Sequence, residues 1–556
     1  MSLTIAGSAL APMAARVVAQ APLIPGDVNG DADVDRDDFT LFLPCMAGAG
    51  VLLEADGLPP GCALTADAGG RVPADGDRDG DVDQDDFGLL QRCFSGPATP
   101  ANPACVSGTW LPMPGDRQWA RQTLVKECDY IADCSFTEDA TNHAAAAPDA
   151  DGYGVLNDNR IHWNGPDWVR PGEAAMGAIG LMAGARKLHS DSVGIGRYDR
   201  ILDRFFQTWL LQRRQPIVAD AGDDRGAVCS DVEYDAMGKR EGCSGPNAAV
   251  TGQMIVAMWK YGQYKRAVGQ ASLADQWLQD AWPVARDGGE FIARQVNATH
   301  QMVRSNSSGE DLWLTDAVFS AAAMRTLAVW SEAAGQSPVR DYAAAAAGLT
   351  AGVRAMADAG VWKGFFRYRD ASGGYMPCHG DQIDQLCLLP YEAGLLDAGD
   401  PLARSISDFW TIGDRRSPSI RMTPHTADPT DWRFYGTHLH HYFDTARPEN
   451  QRLSPGAGLQ LARMEWRQAA RTGDLETLQR AWWRFLWVED SARSGLWFGA
   501  TGEREAGVGN GIVDWRRVDD RTQSAHSYER FLDTSAYFIE VVLMLYHGID
   551  TSYLPD

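Results

Sequence analysis

Two segments near the N-terminus place oxygen-bearing side chains at one repeated spacing. Asp27, Asn29, Asp31, Asp33, Asp35 and Asp38 in the first correspond to Asp75, Asp77, Asp79, Asp81, Asp83 and Asp86 in the second. Side-chain oxygens at positions 1, 3, 5, 9 and 12 of a twelve-residue loop, with a backbone carbonyl from position 7, are what a calcium ion takes. A merely solvated acidic run has no reason to keep that register twice, so the reading is two Ca²⁺ sites. Val34 and Val82, at position 8, are expected to pair the loops back to back. Each loop leads into a short apolar helix, residues 39–46 and 87–94, that ends near a cysteine and a glycine.

Farther along, carboxylates gather where apolar helices should begin. Glu173 follows Arg170-Pro171-Gly172, Glu310 and Asp311 follow Ser307, Glu392 follows Leu389-Pro390-Tyr391, and Glu529 follows His526. Cleaving a glycosidic bond takes two such carboxyls, one a proton donor and one a base or nucleophile. A helix N-terminus favours the ionised form and so suits the base. The acid needs a desolvated setting. Ser307 and Glu310 have capping-box spacing, which predicts a helix over 309–330 and leaves Asp311 without a capping duty. Glu173, Asp311 and Glu392 are therefore the catalytic candidates, with an inverting mechanism expected. Asp316 lies deeper in its helix and is expected to be buried and paired instead.

Aromatic residues stand in the same long loops: Trp163, Trp168, Tyr391, Trp432 and Tyr435, with Asp384 close by in sequence to Tyr391. Flat apolar faces beside polar groups suit sugar rings. His438 and His441 join this set of substrate-binding candidates. With Tyr435 they offer a second chemistry, proton abstraction in a lyase or epimerase reaction, with an arginine holding a uronate carboxylate. A protein that only binds carbohydrate or acts as a scaffold would keep the aromatics but lack the carboxyl pair. No nucleophile elbow, Walker loop or dinucleotide fingerprint is present.

The elements that must position these groups alternate in character. One set of predicted helices is apolar and rich in small residues: 172–188, 247–264, 309–330, 389–398, 454–471 and 524–547. The other is charged and amphipathic: 116–128, 196–214, 273–295, 339–359, 401–411 and 475–488. Long loops precede the apolar helices and short turns follow them. Apolar helices inside, amphipathic helices outside and long loops at one end describe a mainly α fold, an (α/α)6 toroid. The inner helices then all start at one face, where their first turns can share a cavity. An open solenoid should show a repeated sequence period, and none is seen.

The net charge of −24 excludes nucleic acid and anionic membrane as natural partners. Ten cysteines fall into sequence-near pairs: Cys45/Cys62, Cys93/Cys105, Cys128/Cys134, Cys229/Cys243 and Cys378/Cys387. Five disulfides and an oxidising compartment are expected, so the protein reads as secreted, extracellular or periplasmic. Residues 1–24 read as a leader, with Val17-Val18-Ala19 before a cleavage point, and no later run is long enough to span a bilayer.

The duplicated acidic segment resembles the dockerin module, whose loops end in Asp where ordinary EF-hands have Glu. The resemblance covers about residues 25–106. It implies a small paired EF-hand-like domain, two Ca²⁺ ions and a cohesin-like protein partner. Positions 10 and 11 are Arg36-Asp37 and Gln84-Asp85, not the Ser/Thr pair of many dockerins. The alternation of helices over about residues 116–550 resembles the six-hairpin glycosidases. That resemblance implies a toroid acting on a poly- or oligosaccharide without a cofactor of its own. The domains are thus a leader at 1–24, the dockerin-like domain at 25–106, a linker at 107–115 and a catalytic toroid at 116–556.

Overall fold

The structure, a computed structural model, describes residues 26–31, 33–48, 58–65, 72–75, 81–97, 117–138, 147–157, 168–190, 196–218, 222–235, 237–306, 311–360, 366–369, 374–377, 400–401, 452–453, 455–472, 477–478, 480–482, 484–485, 516–517, 532–547 and 549–551. The chain divides into two compact units, one of Met1–Asp116 with Tyr546–Gly548 and one of Arg117–Leu545 with Ile549–Asp556.

The small unit holds helices α1 (Arg36–Phe42), extended by a 3₁₀ turn at Leu43–Cys45, and α2 (Gln84–Cys93). Their inward faces meet through Phe87, whose ring lies 5.7 Å from Phe39 and 5.8 Å from Phe42. Val34 and Val82 are both fully buried. The carbonyl of Val34 accepts from Ser95 and Gly96, just past α2, while that of Val82 accepts from Ala47 and Gly48, just past α1. Each half thus supplies backbone acceptors to the helix end of the other. Cys45 and Cys62 form a disulfide, as the spacing suggests. Cys93 is also disulfide-bonded, and its expected partner Cys105 lies outside the described residues.

The large unit is mainly helical. Its helices are α3 (Arg117–Asp133), α4 (Pro171–Ser190), α5 (Gly196–Asp203), α6 (Ala248–Ala267), α7 (Ala271–Gln295), α8 (Leu314–Ala333), α9 (Tyr342–Gly360), α10 (Pro455–Thr472) and α11 (Leu532–His547). α5 runs on into a π-helix, Arg204–Gln212, whose widened turns bury Phe205, Phe206, Trp209 and Leu210. Burial separates the two helix types as their composition predicts. Fourteen of the 20 residues in both α6 and α8 are buried, against 12 of 25 in α7. Indole hydrogen bonds lock the layers: Trp277 donates to the Met258 carbonyl and Trp330 to that of Leu278, both at 2.9 Å.

The inner helices follow one another in space. α4 packs on α6, and α6 on α8. α4 also meets α11, through glycines on one helical face. A Cβ at Gly180 would stand 2.5 Å from the Ala536 backbone, one at Gly177 2.9 Å from Leu532, and one at Gly184 3.2 Å from Ile539. α11 joins α10 through a fully buried ion pair, Arg463–Glu540 at 2.9 Å. The order α8–α6–α4–α11–α10 brings the last inner helix back to the first, which an open solenoid would not do. The expected helices at 389–398 and 401–411 lie outside the described residues, as does most of 475–488.

The cysteine expectation fails at one pair. Neither Cys128 nor Cys134 is in a disulfide. Six residues along a helix span about 9 Å, beyond the reach of a bridge. Cys128 instead lies against α4, where a Cβ on Gly184 would come within 2.5 Å of its sulfur. Cys229–Cys243 is bridged as expected, and Cys378/Cys387 lie outside the described residues.

Candidate functional site

In the small unit the first loop folds around its own carboxylates. Asp27 Oδ1 accepts from the backbone of Gly30 and Asp31 at 2.8 and 3.1 Å. Asp38, fully buried, accepts from Val28 and Asn29 at 2.6 and 3.0 Å through one oxygen and from Asp35 at 2.9 Å through the other. Asp35 caps α1 and Asp38 completes the capping box, so positions 9 and 12 of the loop are fixed by the helix they start. Oxygens of Asp27, Asp31 and Asp38 lie within 4.8 Å of one another, as do those of Asp33, Asp35 and Asp38, and of Asp81, Asp83 and Asp86 in the second loop. Burial pushes the Asp38 carboxyl up to about 6, with the charge of Asp27 adding to it and the three backbone donors opposing. Buried carboxylates held this close repel one another unless a cation joins them, and an all-oxygen set suits a hard divalent ion. Asp77 and Asp79 lie outside the described residues.

In the large unit the candidate face is where the inner helices start. Among the described residues, four of them begin at or just after the end of a strand. β1 (Trp168–Val169) precedes α4; β2 (Val228–Tyr234) and β3 (Arg240–Asn247) form a hairpin, and β3 runs into α6. After the small β4–β5 pair (Val296–Asn297, Met302–Val303), β6 (Asp311–Trp313) runs into α8. β7 (Phe366–Arg369) and β8 (Gly374–Pro377) extend the β6 sheet, and β9 (Arg452–Leu453), paired with β10 (Arg516–Arg517), precedes α10.

The α6 start is fully specified. Ala248 donates to the Ser305 carbonyl, Ala249 to Asp316 Oδ1 at 3.1 Å, and Val250 to the Asn247 side chain at 3.0 Å. Asp316 stands in the first turn of α8, and its other oxygen accepts from the Ser305 hydroxyl. Burial raises its carboxyl to about 6, and the bonds from Ser305 and Ala249 hold the rise down. One buried carboxyl therefore joins the starts of two inner helices and the segment between them. Its burial and pairing agree with the sequence reading, but its service to a neighbouring helix has no local signal. The only clue is an acid within an apolar run, which must find donors when buried.

Glu173 sits in the first turn of α4 as expected, 2.8 Å from the Arg170 guanidinium. The adjacent Gly172 is flush with α6, since a Cβ there would come 2.3 Å from Gln253 Oε1 and 3.3 Å from Val250. Glu173 and Asp316 thus belong to the two helices that flank the first turns of α6.

Asp311 departs from expectation. α8 starts at Leu314, not near 309, and its N-cap Trp313 makes no side-chain capping bond. Asp311 lies in β6, in register with Arg369. Leu312 decides this: it is fully buried and pairs with Tyr368 on one side and Arg304 on the other. Two-sided strand pairing overrides a local capping pattern. Ser307 and Glu310 lie outside the described residues. Trp168 is in β1, opposite Glu233. Trp163, Asp384, Tyr391, Glu392, Trp432, Tyr435, His438 and His441 lie outside the described residues.

No family model and no curated protein matches the sequence. Solved structures do match. The glucoamylase of Hormoconis resinae aligns at a TM-score of 0.52 and 11% identity, over 78% of this chain and 75% of that one. A D-mannose isomerase aligns at 0.47 and 11% identity, over 78% of this chain and 99% of that one. The unsaturated glucuronyl hydrolase of Bacillus sp. GL1 aligns at 0.46 and 12%, over 78% and 98%. These neighbours are (α/α)6 toroid proteins, and at such identities the likeness is one of fold.

Proposed function

We propose that the large unit is a carbohydrate-active enzyme that hydrolyses glycosidic bonds of a poly- or oligosaccharide at the face where its inner helices start. What supports this reading is that two of the expected acids stand at or just before the starts of inner helices. Glu173 comes from the first turn of α4, and Asp311 from the strand that leads into α8. Arg170 and the α4 N-terminus both favour an ionised Glu173, which suits the base that activates water. Asp311 is not in a first turn, so the helix-dipole argument for it as a base lapses. The proton donor is drawn from Asp311 and Glu392.

The test is sugar release from a panel of polysaccharides by the full chain. Glu173→Gln should lower kcat on the order of 100-fold or more with the fold intact by circular dichroism. Unchanged turnover would remove Glu173 from the chemistry. An unsaturated uronate product would replace hydrolysis with elimination.

In the small unit the fit of the acidic groups supports two calcium ions. Asp27, Asn29, Asp31, Asp33, Asp35 and Asp38 would hold one; Asp75, Asp77, Asp79, Asp81, Asp83 and Asp86 would hold the other. The ions would neutralise the clustered carboxylates and so stabilise the unit, which would then present a surface to a cohesin-like partner. The disulfides support export to an oxidising compartment. Among the described residues no helix is long and apolar enough to cross a membrane.

A further inference from the structure

The inner helices are closed almost completely where they start. Over the first ten residues of α4, α6 and α8, every residue is buried except Glu173, Val250, Gln253 and Thr315. Glu173, Val250 and Gln253 gather at one place. Gly172, next to Glu173 in α4, is so near α6 that a Cβ on it would stand 2.3 Å from Gln253 Oε1 and 3.3 Å from Val250 Cγ2. Glycine is unfavourable within a helix, and Gly172 has no left-handed backbone that would call for one. The room it leaves is taken by the Gln253 amide. Gln253 itself lies between buried neighbours, Gly252 and Met254. The other polar side chain in this part of α6, Thr251, is bonded within the protein: it donates to the Asn247 carbonyl at 2.6 Å and accepts from the Val228 amide at 2.9 Å. Among the described residues the Gln253 amide has no such partner, and it is open to solvent.

We infer that Gln253 is a substrate-binding residue beside Glu173, its amide taking two neighbouring hydroxyls of a sugar ring. The side chain offers an acceptor oxygen and a donor nitrogen side by side, and a hydroxyl both donates and accepts. Val250, one turn earlier, adds an apolar surface for the C–H face of the ring. The inference rests on the hydrolysis reading above and adds to it where the ring is held: across the junction of α4 and α6, next to the proposed base.

The experiment is steady-state release of reducing sugar by the full chain from starch, xylan, mannan and polygalacturonate. The proteins are the parent, Gln253→Ala, Gly172→Ala and the double variant. Gln253→Ala removes the amide, and the methyl group of Gly172→Ala displaces it, since the colliding atom is the end of a flexible side chain. On a polymer that the parent cleaves, each single variant should raise KM by about threefold to tenfold with kcat little changed, as for a contact made alike in the ground and transition states. The double variant should be no worse than Gln253→Ala, because both changes remove the same contact. Neither single change breaks a hydrogen bond within the protein, so neither should lower the melting temperature. A parental KM in Gln253→Ala, with or without a lower melting temperature, would assign the residue a structural role and overturn the inference while leaving hydrolysis in place. Losses that multiply in the double variant would also overturn it, since Gly172 would then act on something other than this amide. Release of no sugar by the parent would remove the hydrolysis reading and this inference with it.

Discussion

Replacing Asp316 with asparagine tests the account of how the inner-helix starts are joined. The carboxyl is buried between α8 and α6 and bonded to the Ala249 amide and the Ser305 hydroxyl. Its folded pKa is about 6, against an ordinary 3.8. A tenfold change in acidity constant is about 1.4 kcal/mol, so folding favours the neutral form over the ionised by about 3 kcal/mol. The sign follows from proton linkage. The folded chain holds this proton more tightly than the unfolded chain. The associated stability is full below the unfolded pKa and is lost as pH rises through about 6. Asparagine keeps the shape, can accept from Ala249 and can donate to Ser305, and does not titrate. The stability of the variant minus that of the parent should therefore rise between about pH 4 and about pH 7.5, by up to about 3 kcal/mol. Urea unfolding of both proteins across that range measures it. Taking the difference cancels other titrating groups, Asp38 among them. A flat difference would mean that the carboxyl is not desolvated as described, and the reasoning would fail.

Other perturbations test other joints. Gly180→Val should drive a side chain into Ala536 and cost on the order of 1–3 kcal/mol; an unchanged melting temperature would mean that α4 and α11 are not in close contact. Arg463→Met strands a buried Glu540 and should cost about 3–5 kcal/mol, while Arg463→Met with Glu540→Leu should recover most of it; equal losses in the single and double variants would argue against a coupled pair. Cys229→Ser opens the β2–β3 bridge and should cost about 3 kcal/mol, seen as a lower urea midpoint of the large unit; an unchanged midpoint would mean that the bridge adds nothing to its stability. Calcium at about 100 times its Kd should stabilise the small unit by about 2.7 kcal/mol, and Asp38→Ala with Asp86→Ala should abolish that gain in calorimetry; an undiminished gain would place the ions elsewhere.

Much of the helical framework was legible in the sequence. The expected helices at 172–188, 247–264, 273–295, 339–359 and 454–471 agree with α4, α6, α7, α9 and α10 to within a few residues. Burial is the reason: a helix surrounded by other helices must be apolar all round, and one facing water must not be. Where one pattern served two structures, the sequence misled. Ser307 and Glu310 look like a capping box, yet Leu312 is completely buried and paired on both sides, with Tyr368 and Arg304, and the helix starts only at Leu314. Cys128 and Cys134 look like a local pair, but the helix that carries Cys128 runs on to Asp133 and sets Cys134 just past its end, out of reach.

What the sequence determined by itself is repetition and periodicity: the twice-written acidic register, the alternation of apolar and amphipathic helices, and the end at which the long loops lie. These are local properties, set by spacing along the chain. What only the tertiary structure decided is partnership across the chain. That Asp316 caps a helix other than its own, and that glycines of α4 admit α11 and so return the last inner helix to the first, both depend on contacts between distant segments. Spacing fixes which face of an element a residue occupies; only packing determines what that face meets.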